Sequence, residues 1–101
     1  MSRLERDLIK TVSDSAGEAV SGAVASLVRS RDWSSSLFSG VRLTVEISAG
    51  ENEAFETWLA GLPEAEFVLH GHFVASADLI ERSSGTALVE FLLVEEARAV
   101  P

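Results

Sequence analysis

The stretch FVLHGHFVA, residues 67–75, holds the chain's only two histidines, with one glycine between them inside an apolar run. On an extended strand side chains repeat every two residues, so His70 and His72 share a face with Cβ atoms about 6–7 Å apart. Two imidazoles so placed can converge on one ion, and zinc suits them, but zinc wants a third protein ligand. The hairpin register derived below sets Glu96 opposite His72, which makes His70, His72 and Glu96 the candidate metal set. Glu46 is another source of the third ligand, and a two-fold axis near Gly71 would gather four histidines instead. Asp78 is too far along the same straight strand, about 20 Å away. The competing reading is structural: partly buried imidazoles bonded to backbone or carboxylate. No cofactor is implied beyond that zinc option.

Paired carboxylates are the other chemistry in view. The same register opposes Asp78 to Glu90, and like charges so close raise one pKa. Arg82 or Arg42 is near enough in the pattern to neutralise them. The chain has no G-x-S-x-G, no G-x-G-x-x-G, no H-E-x-x-H and no calcium loop. With no cysteine there is no disulfide framework and no thiolate nucleophile, and with no tyrosine a common acid–base residue is missing. Phe55 and Trp58, beside the histidines, are the candidates for holding a small apolar ligand between helix and sheet.

Charge narrows the partners. At a net charge of −8 with eight scattered basic residues, the chain lacks the clustered cations that nucleic acid and anionic membranes require. A hydrophobic content of 47% argues against disorder, and 101 residues suit one domain with a modest core. The charged start MSRLERDLIK is followed by no apolar run of signal-peptide length, and no stretch reaches the about 20 apolar residues of a membrane-spanning helix. A soluble cytoplasmic protein is expected.

The elements that must position these residues follow from periodicity. Leu4, Leu8, Val12, Ala16, Ala19, Val20, Ala23, Val24, Leu27 and Val28 fall near helical spacing, which predicts one long helix over residues 3–30, within an N-terminal segment 1–31. It packs either on its own sheet or on a second subunit. Residues 32–40 link it to a strand, where Val41, Leu43, Val45 and Ile47 alternate with polar residues. A second helix, about residues 51–60, has acidic residues early and an apolar stripe at Phe55, Trp58, Leu59 and Leu62. Gly61-Leu62-Pro63 reads as its stop, with Gly61 left-handed.

Residues 66–82 and 86–96 read as two strands around a three-residue loop, Ser83-Ser84-Gly85. This register opposes Leu79, Ala77, Ala75 and Phe73 to Val89, Phe91, Leu93 and Glu95. A crossover through the second helix predicts that the first two strands run parallel, with strand order open. The predicted fold is α+β: a long N-terminal helix, then β-α-β-β in a small three-stranded mixed sheet with a long C-terminal hairpin, as a single domain over 1–101.

That hairpin is too long for a compact domain, since 17 strand residues span about 55 Å. Either the strand bends at Gly71 or the ribbon overhangs. Its second face is rich in aliphatics, and large exposed apolar patches are rare on monomers. The expectation is a small intracellular homodimer that binds or assembles rather than catalyses, itself and a further protein being the expected partners. The expected interface is Val74, Ile80, Leu88, Leu92 and Val94, with Ala19, Ala23 and Leu27 as a second surface. The alternative is a binder of a small apolar ligand or a metal ion that uses His70 and His72.

Overall fold

A computed structural model describes residues 1–96. Helix α1 (Arg3–Ala19) begins at a capping box. The Glu5 backbone N–H donates to Ser2 Oγ at 3.1 Å, and the Ser2 N–H donates to Glu5 Oε1 at 2.7 Å. Two otherwise orphaned donors are thereby satisfied. Leu8, Val12 and Ala16, spaced by four, are buried.

The helix stops eleven residues before residue 30, and the chain is extended in β1 (Val24–Ser34). Val20, extended at φ −137°, caps the helix, and the chain turns into β1 through Val20–Ala23, where the Ala23 N–H donates to the Val20 carbonyl at 3.1 Å and Gly22 takes the left-handed position at φ 87°. Beyond it Ala25 and Leu27 face the core as alternating strand residues do. Ala23, Val24, Leu27 and Val28 fit helical spacing too, and β-branched valines favour the strand. The expected helix over 3–30 is corrected accordingly, and Ala23 and Leu27 lie against the sheet's own core.

Strand β2 (Ser39–Ser48) follows a tight loop in which the Ser35 N–H donates to the Phe38 carbonyl at 2.7 Å. Helix α2 (Glu53–Ala60) is capped by Asn52, whose Oδ1 accepts from the Phe55 N–H at 2.8 Å. The stop signal works differently from the expectation. Gly61 is right-handed at φ −86°, and a 3-10 turn over Leu62–Glu64, with Pro63 inside it, ends the helix. Strands β3 (His72–Ser83) and β4 (Thr86–Glu95) close the sheet.

The sheet has four strands in the order β1-β2-β4-β3, every neighbouring pair antiparallel. The expected three-stranded mixed sheet is corrected: β1 adds a fourth strand. β2 and β3 do run in the same direction, but β4 lies between them, so no parallel pair forms. Both helices lie on one face. There Leu8, Val12, Phe55 and Leu59 pack on Leu43, Val45, Ile47, Val89, Phe91 and Leu93. Phe67 meets Phe91 edge-on, with centroids 6.0 Å apart.

The β3–β4 turn has two residues, Ser84 and Gly85, with Ser83 opposite Thr86. The three-residue loop is corrected, yet Leu79 still opposes Val89, Ala77 opposes Phe91 and Asp78 opposes Glu90. A bulge at Ile80 supplies the extra residue that restores the expected register. A second bulge at Ala75 shifts it again, so Val74 opposes Leu93, Phe73 opposes Val94, and His72 opposes Glu95 rather than Glu96. Strand β3 starts only at His72, because the chain reverses through His70 and Gly71, where Gly71 has φ 73°.

Candidate binding surface

The face of the sheet away from the helices has no covering element among the described residues. Side chains alternate on strands, so the register fixes which residues meet there. From β1 to β3 one row reads Arg29, Thr44, Glu90, Asp78, and the next reads Arg31, Arg42, Leu92, Ser76. Flanking rows bring together Ser26, Glu46, Leu88 and Glu81 on one side, and Trp33, Gly40, Val94 and Phe73 on the other. Thr44 and Val94 are each 4% exposed although no helix lies above them. Long neighbouring side chains shelter them, and Arg29, Arg31, Arg42 and Glu90 ring Thr44 in a depression of about 80 Å³.

Charge on this face is split across the sheet. Arg42 Nη1 donates to Glu90 Oε1 at 3.0 Å, a pair about one-third exposed on each side. Among the described residues Arg29, Arg31, Asp78 and Glu81 make no ion pair. Arg29 and Arg31 lie on edge strand β1, Asp78 and Glu81 on edge strand β3, and a third carboxylate without an ion pair among the described residues, Glu46, lies on β2 between them. Arg31 stands directly opposite Arg42, a cross-strand like-charge pair that costs stability unless something neutralises it. The pairing of Asp78 with Glu90 foreseen from the sequence is present, but Glu90 is held by Arg42.

The expected interface residues divide between faces. Leu88, Leu92 and Val94 stand on the uncovered face. Val74 packs toward the core side, and Ile80 sits exposed in its bulge on edge strand β3. Ala19, at the end of α1, is exposed.

The histidines are not side by side on a straight strand. His70 occupies the turn before β3 and is exposed, while His72 opens β3 with its Nδ1 3.5 Å from the His70 carbonyl. Glu95, opposite His72, accepts from Ser39 Oγ at 3.0 Å. Glu96 is engaged through its backbone, donating to the Gly71 carbonyl at 3.0 Å. Among the described residues no three His, Cys, Asp or Glu side chains are grouped to hold a metal ion. His72 and Glu95 border an open cleft of about 610 Å³ with Glu5 and Asp32, at the end of the sheet where α1 begins. The Ser2 backbone N–H, and after it the Ser30 hydroxyl, hold the Glu5 carboxyl below its ordinary pKa.

Phe55 is fully buried and stacks on Trp58 at 6.3 Å, and the Trp58 indole donates to Ser15 Oγ at 3.0 Å. Arg82 lies over the Phe55 ring, 5.6 Å from its centroid, and grips Glu56 through both guanidinium nitrogens. That bond holds the Glu56 carboxyl below its ordinary pKa and the arginine above its own. These contacts pin α2 to β3.

Arg29 and Arg31 were missed as site residues because they fell on the tail of the expected helix. The readable signal was the alternation Arg29, Arg31, Trp33 just ahead of a serine-rich turn. Compared with protein-family models, curated proteins and solved structures, the chain matches none. No helix among the described residues is long and apolar enough to cross a membrane.

Proposed function

We propose that this protein is a binding or assembly module that pairs with a second copy of itself through the uncovered face of its sheet. The observation that carries the reading is that Leu88, Leu92 and Val94 stand on a face no helix covers, between a cationic and an anionic edge. Sheets of this shape bury such a face by packing on another sheet about 10 Å away. Four strands of about ten residues present roughly 600 Å² of projected area. Side-chain relief raises the accessible area toward the about 800 Å² per partner of a stable interface. Binding rather than catalysis suits a site whose carboxylates and arginines are arranged in rows and not gathered around an enclosed pocket.

Light scattering at concentrations from 1 µM to 1 mM (roughly the range of homodimer affinities that matter here) tests this. The unmodified chain is expected to run at twice its monomer mass. Leu92→Asp puts a carboxylate at the centre of the face and is expected to leave a folded monomer, judged by an unchanged circular dichroism spectrum. A wild type that stays monomeric throughout the range sinks the proposal.

A further inference from the structure

Resting on the homodimer reading above, we infer that the split charge of the uncovered face fixes how the two copies meet: a two-fold axis parallel to the strands, which lays Arg29 of one copy over Asp78 of the other and sets the arginine-bearing edge strand β1 against the carboxylate-bearing edge strand β3.

Two identical sheets stacked face to face are related by a two-fold axis lying between them. If that axis runs along the strands, between β2 and β4, each row falls on itself in reverse order. Arg29 then lies over the second copy's Asp78, Thr44 over Glu90, and Arg42 over Leu92. Glu81 covers Ser26 and Glu46 covers Leu88, so no like charges are directly opposed. If the axis instead crosses the strands, β1 covers β1 and β3 covers β3. The arginine-bearing edge then faces itself and so does the carboxylate-bearing edge, a like-charge juxtaposition that disfavours this arrangement. In the first arrangement Arg31 lies over Ser76 of the second copy, one row from its Asp78, while Arg42 keeps its own Glu90.

Charge reversal separates the two arrangements. The double variant Arg29→Glu/Arg31→Glu and the double variant Asp78→Lys/Glu81→Lys are each expected to weaken the dimer by about tenfold or more. The two variants move the net charge of −8 in opposite directions, so a shared loss is not an effect of overall charge. Combining all four substitutions in one chain restores the complementarity with its signs exchanged, and this chain is expected to dimerise about as well as the wild type. Mixed with wild type and read by native mass spectrometry, it is expected to sort with its own kind, because Arg29 would meet a lysine at 78. An axis across the strands predicts the reverse: the four-fold variant would prefer the wild type as partner. Arg29→Gln and Asp78→Asn add no new charge. They are expected to weaken the dimer in the same direction and give the reading should a reversal unfold the chain. A monomeric wild type ends the parent reading. A wild-type dimer that half-reversal leaves intact, or that mixes freely with the four-fold variant, ends this inference alone.

Discussion

Gly85 and Gly71 both take a left-handed conformation, at φ 70° and 73°, but only one of them is crowded. A Cβ on Gly85 would lie 2.8 Å from Gly50 Cα and 2.9 Å from the Gly50 carbonyl carbon. A Cβ on Gly71 would meet nothing within 4 Å. At Gly85 the crowding is backbone on backbone, because its carbonyl accepts from the Ala49 and Gly50 N–H groups at 2.9 and 3.2 Å. Neither partner can rotate away. Gly71→Ala therefore carries only the left-handed penalty of about 1–2 kcal/mol. Gly85→Ala adds overpacking and is expected to cost about 2–5 kcal/mol. Urea unfolding of the two variants side by side checks this, and equal losses would show that the turn does not dock on the β2–α2 loop. The histidine pair shows the limit of residue-scale reading. Spacing by two predicts a shared face only if the strand is continuous, and Gly71 was the residue best able to interrupt it.

At the scale of elements, the parts that were legible are those with one dominant signal. Strand β2 alternates without a fault, and its core residues Leu43, Val45 and Ile47 are the ones expected. The α2 stripe is present, and the hairpin register around Leu79 and Val89 follows from matching apolar faces. Strand β1 was illegible for physical reasons. Its buried face offers only Ala25 and Leu27 before a bulge between Leu27 and Arg29 breaks the alternation, and its other face carries arginines. The aliphatic part of the uncovered face was therefore readable from β4, while its cationic edge was not. Helix α1 ends early but begins where expected, and that beginning is testable. Glu5 accepts from the Ser2 backbone N–H and leans on Ser30 of β1, so its folded pKa lies below its ordinary value. A depressed carboxylate pKa stabilises the fold above the unfolded pKa, and that contribution is lost as pH falls through the folded one. Between pH 6 and pH 3 the wild type is thus expected to lose more stability than Glu5→Gln, as read from urea midpoints at each pH. Parallel pH profiles for the two would show that the capping box does not hold the carboxylate in solution.

At the scale of the whole molecule, the described chain is a two-layer slab measuring 49 × 24 × 21 Å, helices on one side and a bare sheet on the other. The proposed pairing with a second copy requires that two strongly acidic chains tolerate each other. Each carries a net charge of −8, so their long-range interaction is repulsive even though the proposed arrangement sets opposite charges against each other. The two effects act over different distances. At an ionic strength of about 0.01 M the Debye length is ~30 Å, longer than the thickness of the slab, and repulsion reaches across the whole pair. At ~0.15 M it falls to about 8 Å, which screens distant charges while leaving desolvated contacts between facing side chains largely intact. Dimerisation is therefore expected to tighten between these two salt concentrations. Sedimentation equilibrium of the unmodified chain at both ionic strengths measures it directly. Affinity that instead falls steadily from the lowest salt upward would mean that the facing ion pairs are themselves exposed to solvent, and that the two sheets do not close on one another.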